Sequence, residues 1–130
     1  MKTFKIASFA LTAFAMTAGF SGSALAEGDA EAGAKVFKKC VACHNVVGAN
    51  KVGPNLNNIL GREIASVEGF KYSKAMLAEG EGGKTWDTES LSAYLANPRA
   101  AVKGNKMVFI GLKKEKEQQD VIAYIMSKSE

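Results

Sequence analysis

Cys40-Val41-Ala42-Cys43-His44 decides how the rest of this chain is read. Two thiols three residues apart, with an imidazole directly after the second, form the arrangement that attaches a c-type haem. The spacing suits that chemistry. Both sulfurs can reach the vinyl groups on one porphyrin edge while the adjacent ring turns beneath it and offers Nε2 to iron. Cys-x-x-Cys also occurs at zinc sites and thioredoxin-like redox sites. A structural zinc site wants four Cys or His ligands, and Cys40, Cys43 and His44 are the only ones in the chain. A thioredoxin-like site lies in a βαβ pattern, and no strand alternation flanks this stretch.

The first residues predict export. Lys2 and Lys5 form a charged start, residues 6–20 an apolar run, and Ala24-Leu25-Ala26 a small-residue cleavage site. The run is shorter than the ~18 residues of a spanning helix. Residues 1–26 are therefore expected to be a cleaved secretory signal peptide, and 27–130 a single domain in the periplasm. Losing Lys2 and Lys5 lowers the net charge from +4 to about +2, too mild to suggest nucleic acid. A chain this short buries only about two thirds of its unfolded surface, and an apolar macrocycle would supply missing core.

Along the mature chain, Asp29 is a plausible N-cap for a helix carrying Gly33, Val36, Phe37 and Cys40 at helical spacing, so that the motif falls at its end. Gly33 marks either a close helix crossing or a tolerated glycine. The partner in a crossing would be the last helix, roughly 115–127, with Val121, Ile122, Tyr124 and Ile125 on its apolar face. Residues 45–68 lack periodicity and are rich in Gly, Asn and Pro, which predicts irregular backbone with a short helical turn at 57–60. The Pro54 carbonyl could accept from Nδ1–H of His44 and orient the ring, or Gly53-Pro54 could be an ordinary turn. Arg62 could pair with a haem propionate or be simply solvated.

Ser73 is expected to cap a short helix through Met76 and Leu77, ending before Gly80, and Thr85 a longer one to Asn97 with Leu91, Tyr94 and Leu95 on one side. Trp86 and Tyr94 read as core, with polar tips that need partners. Residues 98–111 read as a loop, basic and then apolar. Three methionines follow the cleavage site. Met126 and Met76 read as packing. Met107, between Gly104 and Gly111, has the backbone freedom to bring a thioether to a metal, and its setting alone leaves ligand and packing roles equally open.

Taken together, these residues carry a resemblance that extends from Gly28 to Lys128. It rests on Gly28-Asp29 with Gly33 and Phe37, the Cys40 to His44 stretch, Gly53-Pro54-Asn55-Leu56, Gly61-Arg62 and Gly69-Phe70-Lys71-Tyr72-Ser73. It continues through Thr85-Trp86, Tyr94-Leu95-Ala96-Asn97-Pro98, Gly104-Asn105-Lys106-Met107-Val108-Phe109 and Ile122-Ala123-Tyr124. The chain resembles class I cytochromes c, most closely the cytochrome c2 type that is similar to mitochondrial cytochrome c. The resemblance implies an all-α fold: N- and C-terminal helices crossing, with short helices and loops wrapped around one haem c bound covalently through Cys40 and Cys43. It implies His44 and Met107 as axial ligands, with His44 oriented by the Pro54 carbonyl. Arg62, Tyr72 and Trp86 match residues around a propionate, Tyr94 one near the methionine sulfur, and Phe109 one over the haem edge. Lys103 stands where many relatives have proline, Asn105 where threonine is usual and Met76 where asparagine is common, and 79–83 holds a short insertion.

An iron with both axial positions filled leaves one-electron gain and loss as its chemistry, so the expected function is a soluble electron carrier and not an enzyme. The competing readings are a haem enzyme or gas-binding protein with an open axial site, and a fixed cytochrome subunit of an oxidase. The resemblance implies a quinol-oxidising cytochrome complex as donor and a photosynthetic reaction centre or terminal oxidase as acceptor, with the chain a monomer. Charge is unevenly spread. Arg99, Lys103, Lys106, Lys113, Lys114 and Lys116 face Glu115 alone, while Glu79, Glu81, Asp87 and Glu89 face Lys84 alone. With Lys38, Lys39 and Lys51, the lysines Lys103, Lys106, Lys113 and Lys114 would ring the haem edge and dock an acidic partner.

Overall fold

Asp29 opens the first helix as expected. Its side chain accepts from the Glu31 and Ala32 amides, and α1 runs Ala30–Phe37 with Gly33, Val36 and Phe37 buried. The structure, a computed structural model, describes residues 28–130, so the expected signal peptide and the start at Glu27 lie outside the described residues. Beyond α1 come α2 (Lys74–Glu79), α3 (Thr88–Ala96), α4 (Pro98–Ala101) and α5 (Glu115–Lys128). No strand occurs among the described residues, only an isolated bridge between Glu63 and Thr85. The expected all-α class holds.

The main packing event is α1 against α5. Gly33 is the crossing point: a Cβ there would fall on the Asp120 carbonyl and within 2.8 Å of Tyr124 Cβ. Beside it the Phe37 and Tyr124 rings lie 5.1 Å apart at 47°. Val121, Ile122 and Ile125 of α5 are 5 % exposed or less, each contributing on the order of 1.5–3 kcal/mol of burial. A polar latch closes the same crossing. Asp120 accepts from the Asp29 amide at 2.7 Å and from Lys116 Nζ at 2.8 and 2.9 Å, and the Lys116 bond first, then the amide, holds its carboxyl below the usual range.

Elsewhere the structure adjusts three boundaries. Asp87, not Thr85, caps α3, through a reciprocal box with Ser90. Thr85 is drawn instead into a backbone lacing in which Gly61 N donates to Trp86 O, Ile64 N to Lys84 O and Trp86 N to Arg62 O. The 98–111 segment is not all loop, because Pro98 at a first helical position and the Asn97 side chain on the Ala100 amide start α4. Residues 57–60 make turns and no helix. Asn58 takes φ +50°, and its side chain with that of Asn57 is held by the C-terminus, Asn58 Nδ2 to Glu130 O at 2.6 Å and Glu130 N to Asn57 Oδ1 at 3.0 Å.

Replacing Gly33 with Leu should therefore destabilise the fold by ~1–3 kcal/mol in denaturant melts, since the obstacle is backbone that cannot move aside. A change within ~0.5 kcal/mol, the range of surface substitutions, would show that the helices can part at this point.

Candidate functional site

The helix-end position of the motif follows from its hydrogen bonds. After Phe37 the chain tightens into turns, with Cys40 N and Val41 N on the Phe37 carbonyl and Cys43 N and His44 N on the Cys40 carbonyl. This leaves Cys43 exposed, Cys40 half-buried and His44 buried. Burial pushes the Cys40 thiol up, against the opposing pull of Lys39.

His44 Nδ1 lies 2.7 Å from Pro54 O. A carbonyl only accepts, so Nδ1 carries the hydrogen and the Nε2 lone pair is free. Burial lowers the ring's pKa, outweighing the Pro54 bond, and so favours the neutral imidazole. Gly53 explains why the loop can lie so close: a Cβ there would collide with the ring, 2.7 Å from both nitrogens. Gly53 N donates to Cys43 O, binding this loop back onto the motif. Of the two sequence readings of Gly53-Pro54, the geometry selects the carbonyl that orients His44.

Cys40, Cys43 and His44 open onto a cavity of about 630 Å³, within the ~300–1,000 Å³ of small-molecule sites. Pro54, Arg62, Tyr72, Trp86, Tyr94, Met107 and Phe109, each anticipated from sequence, line it too, so the expected site residues converge on one space. Met107 Sδ accepts from the Tyr94 hydroxyl at 3.4 Å. Burial pushes that hydroxyl up to about 12, so it remains a donor. Trp86 and Tyr94 pack at 5.3 Å. The polar tip of Tyr94 thus has a partner within the protein. Arg62 is more committed than expected, donating to Asn57 O at 2.7 Å and Asn55 O at 3.0 Å. The Tyr72 oxygen accepts from the Val67 amide at 3.3 Å and its ring meets Phe70 edge-on at 4.8 Å.

Several wall residues escaped the sequence reading. Leu91, Leu95, Val121 and Ile125 looked like helix core, and their helices are indeed buried, yet they also face this cavity. Ile59 sits in a segment without periodicity, where nothing marks an inward side chain. Lys71 lines the mouth with Lys39, Lys51 and Lys106. Of the other lysines expected there, Lys38, Lys103, Lys113 and Lys114 do not line it.

Among the described residues no cluster of three His, Cys, Asp or Glu side chains could hold a bare metal ion. A metal here would need to arrive with ligands of its own. The wall chemistry fits an iron macrocycle: apolar side chains, two thiols at one edge, a neutral imidazole with Nε2 free, and a thioether held in place.

Comparison with known proteins agrees. Residues 30–129 match the Cytochrome c family. The chain is 51% identical over 96 residues to cytochrome c2 of Afifella marina, covering 72% of this chain and 77% of the relative. Cytochrome c-550 of Ancylobacter novellus is 53% identical over 95 residues, with 72% and 89% covered. The solved structure of cytochrome cH from Methylobacterium extorquens superposes with a TM-score of 0.71 at 41% identity, covering 78% of this chain and all of that one.

Gly53→Ala should cost ~1–3 kcal/mol in a denaturant melt, because the added methyl must displace the His44 ring from Pro54. An unaltered midpoint would mean that the loop carrying Gly53 yields instead.

Proposed function

The chain belongs to the cytochrome c family and carries a covalently attached haem c, and from that premise we propose that it is a periplasmic one-electron carrier with His44 and Met107 as axial ligands. Residues 1–26 would be removed on export, leaving 27–130 as one domain. Cys40 and Cys43 would form the thioethers. The haem, when bound, supplies one-electron gain and loss at iron, and the His/Met pair typical of cytochromes c raises its potential. The observation that carries the reading is the shared cavity in which His44 keeps Nε2 free while Tyr94 holds the Met107 sulfur. The Pro54 carbonyl fixes the imidazole's tautomer, and the apolar walls exclude water. Arg62, Tyr72 and Trp86 would surround a propionate, Arg62 with the donors its two carbonyls leave over, and Phe109 would cover the exposed edge.

For partners, we infer a quinol-oxidising complex as donor and a reaction centre or terminal oxidase as acceptor, met at the cavity mouth. Lys106 supports this face best. It lines the mouth, is exposed, and forms no salt bridge among the described residues. Lys39 is weaker support, lying 3.8 Å from Glu117.

Met107→Ala should leave haem attached, abolish the far-red sulfur-to-iron band of the oxidised protein, produce a high-spin spectrum and lower the potential. An intact band would transfer the ligand role to Met76, a buried methionine that also lines the cavity.

Reversing Lys106 to Glu should slow bimolecular electron transfer to a membrane partner by roughly tenfold at low salt, with the effect shrinking as the Debye length nears ~8 Å. Lys128, beside Tyr124 and off the cavity wall, is the control, and its reversal should change little. Equal effects at both positions, or rates indifferent to ionic strength, would exclude docking through this face.

A further inference from the structure

The segment that carries Met107 is held at few points, its far end by Lys113 Nζ on Ile110 O at 3.1 Å. Val108 is 90% exposed and Ile110 83%, so packing grips only the alternate residues Met107 and Phe109. Among the described residues, the Met107 amide is the one backbone N–H between positions 106 and 111 with a hydrogen bond from the chain, and its acceptor is Asn105 Oδ1 at 2.8 Å. The other end of the same carboxamide is anchored. Asn105 Nδ2 donates to Pro98 O at 2.7 Å and to Val102 O at 2.8 Å, using both of its hydrogens. Those carbonyls belong to α4 and its C-cap, and Pro98 and Val102 are both buried. One side chain therefore ties the backbone of Met107 to a fixed helix. Tyr94 then steadies the sulfur, and only the flexible Met107 side chain lies between the two attachments.

We propose that Asn105 is a positioning residue whose carboxamide, bridging α4 to the Met107 amide, sets how rarely the Met107 thioether leaves its place in the cavity. The proposal rests on Met107 being an axial ligand. Its consequence is that Asn105 keeps small outside ligands from that coordination position. An incoming ligand binds only the released fraction, so its apparent affinity reports that fraction directly.

The turn before Asn105 offers an independent handle. Asn105 N donates to Val102 O at 3.1 Å, and Gly104 takes φ +94° at the third position, as a type II turn requires. Such a turn accepts proline at its second position, here Lys103, whose amide has no hydrogen bond to lose among the described residues. Val102, at φ −129° and ψ 88°, is not helical and tolerates a following proline. Proline at 103 would restrain the segment by a route that does not use the carboxamide.

The test is a titration of the oxidised haem-loaded protein with imidazole, followed by loss of the sulfur-to-iron band. Asn105→Ala should tighten imidazole binding by about tenfold, the scale of one net hydrogen bond. Adding Lys103→Pro should return the affinity toward that of the parent, and Lys103→Pro alone should weaken imidazole below the parent. Asn105→Asp, which keeps an acceptor for the Met107 amide and removes both donors to α4 and its C-cap, should tighten imidazole in the same direction and tests the idea if Asn105→Ala yields no holoprotein. Asn58→Ala, which removes the tie of an exposed turn to Glu130 away from the cavity wall, should leave imidazole affinity unchanged. Parent-like binding by Asn105→Ala, or equal tightening by Asn58→Ala, would overturn the proposal. Met107→Ala separates it from its premise. If that variant keeps the band, the ligand reading falls first. If it loses the band while Asn105→Ala binds imidazole like the parent, only the role of Asn105 is lost.

Discussion

The apolar side chains at the centre of this small protein pack on one another along one side only, and with the other they line a cavity of about 630 Å³. Trp86, Leu91, Leu95, Val121 and Ile125 are shielded from bulk solvent, yet each also faces that space. Dispersion and burial grow with the atoms packed against such a wall. A haem filling that space supplies those contacts, so cofactor attachment and stability are one problem in this chain.

Some of the fold stands independently of that filling. The α1–α5 crossing is closed by direct contact, with backbone passing over Gly33, rings beside it and the Asp120 carboxylate latching the entry to α1. Because the Asp120 pKa is depressed, the latch contributes fully above the unfolded carboxyl value of ~3.9 and fades as pH falls through its lower folded value. The motif hangs directly from the end of α1. The crossing thus presents Cys40, Cys43 and His44 in a fixed direction, and the Gly53-Pro54 loop needs only to close on the imidazole.

How much of this could be read in advance depended on whether a residue's partner was local. The caps at Asp29 and Ser73, the buried faces of α1 and α5 and the haem motif are local patterns, and they were legible. Thr85 was misread as a cap because its true partner, Glu63, lies far along the chain and belongs to no periodic strand. Asn57 and Asn58 looked helical for a similar reason: the C-terminal residues that hold them in turns are distant in sequence. The carboxamide of Asn105 was visible only as a departure from the family's usual threonine. Two of its three hydrogen bonds go to α4 and its C-cap, in a stretch that reads as loop from sequence alone, and the third goes to the Met107 amide.

Charge was legible in number but not in disposition. The basic run ending at Lys116 suggested a field at one edge of the molecule, yet Lys116 is bound to Asp120 and contributes to the latch. Lys113 donates to Ala96 O and Ile110 O, satisfying the C-terminal end of α3 and fastening the far end of the Met107 segment. Lys51 is held by the Val41 carbonyl, close to the motif. Lysines tethered to carbonyls keep their charge and lose their freedom, so their contribution to the surface potential is fixed in place. The lysines that line the cavity are Lys39, Lys51, Lys71 and Lys106, fewer than the basic residues counted in the sequence, and Lys71 was not among those anticipated.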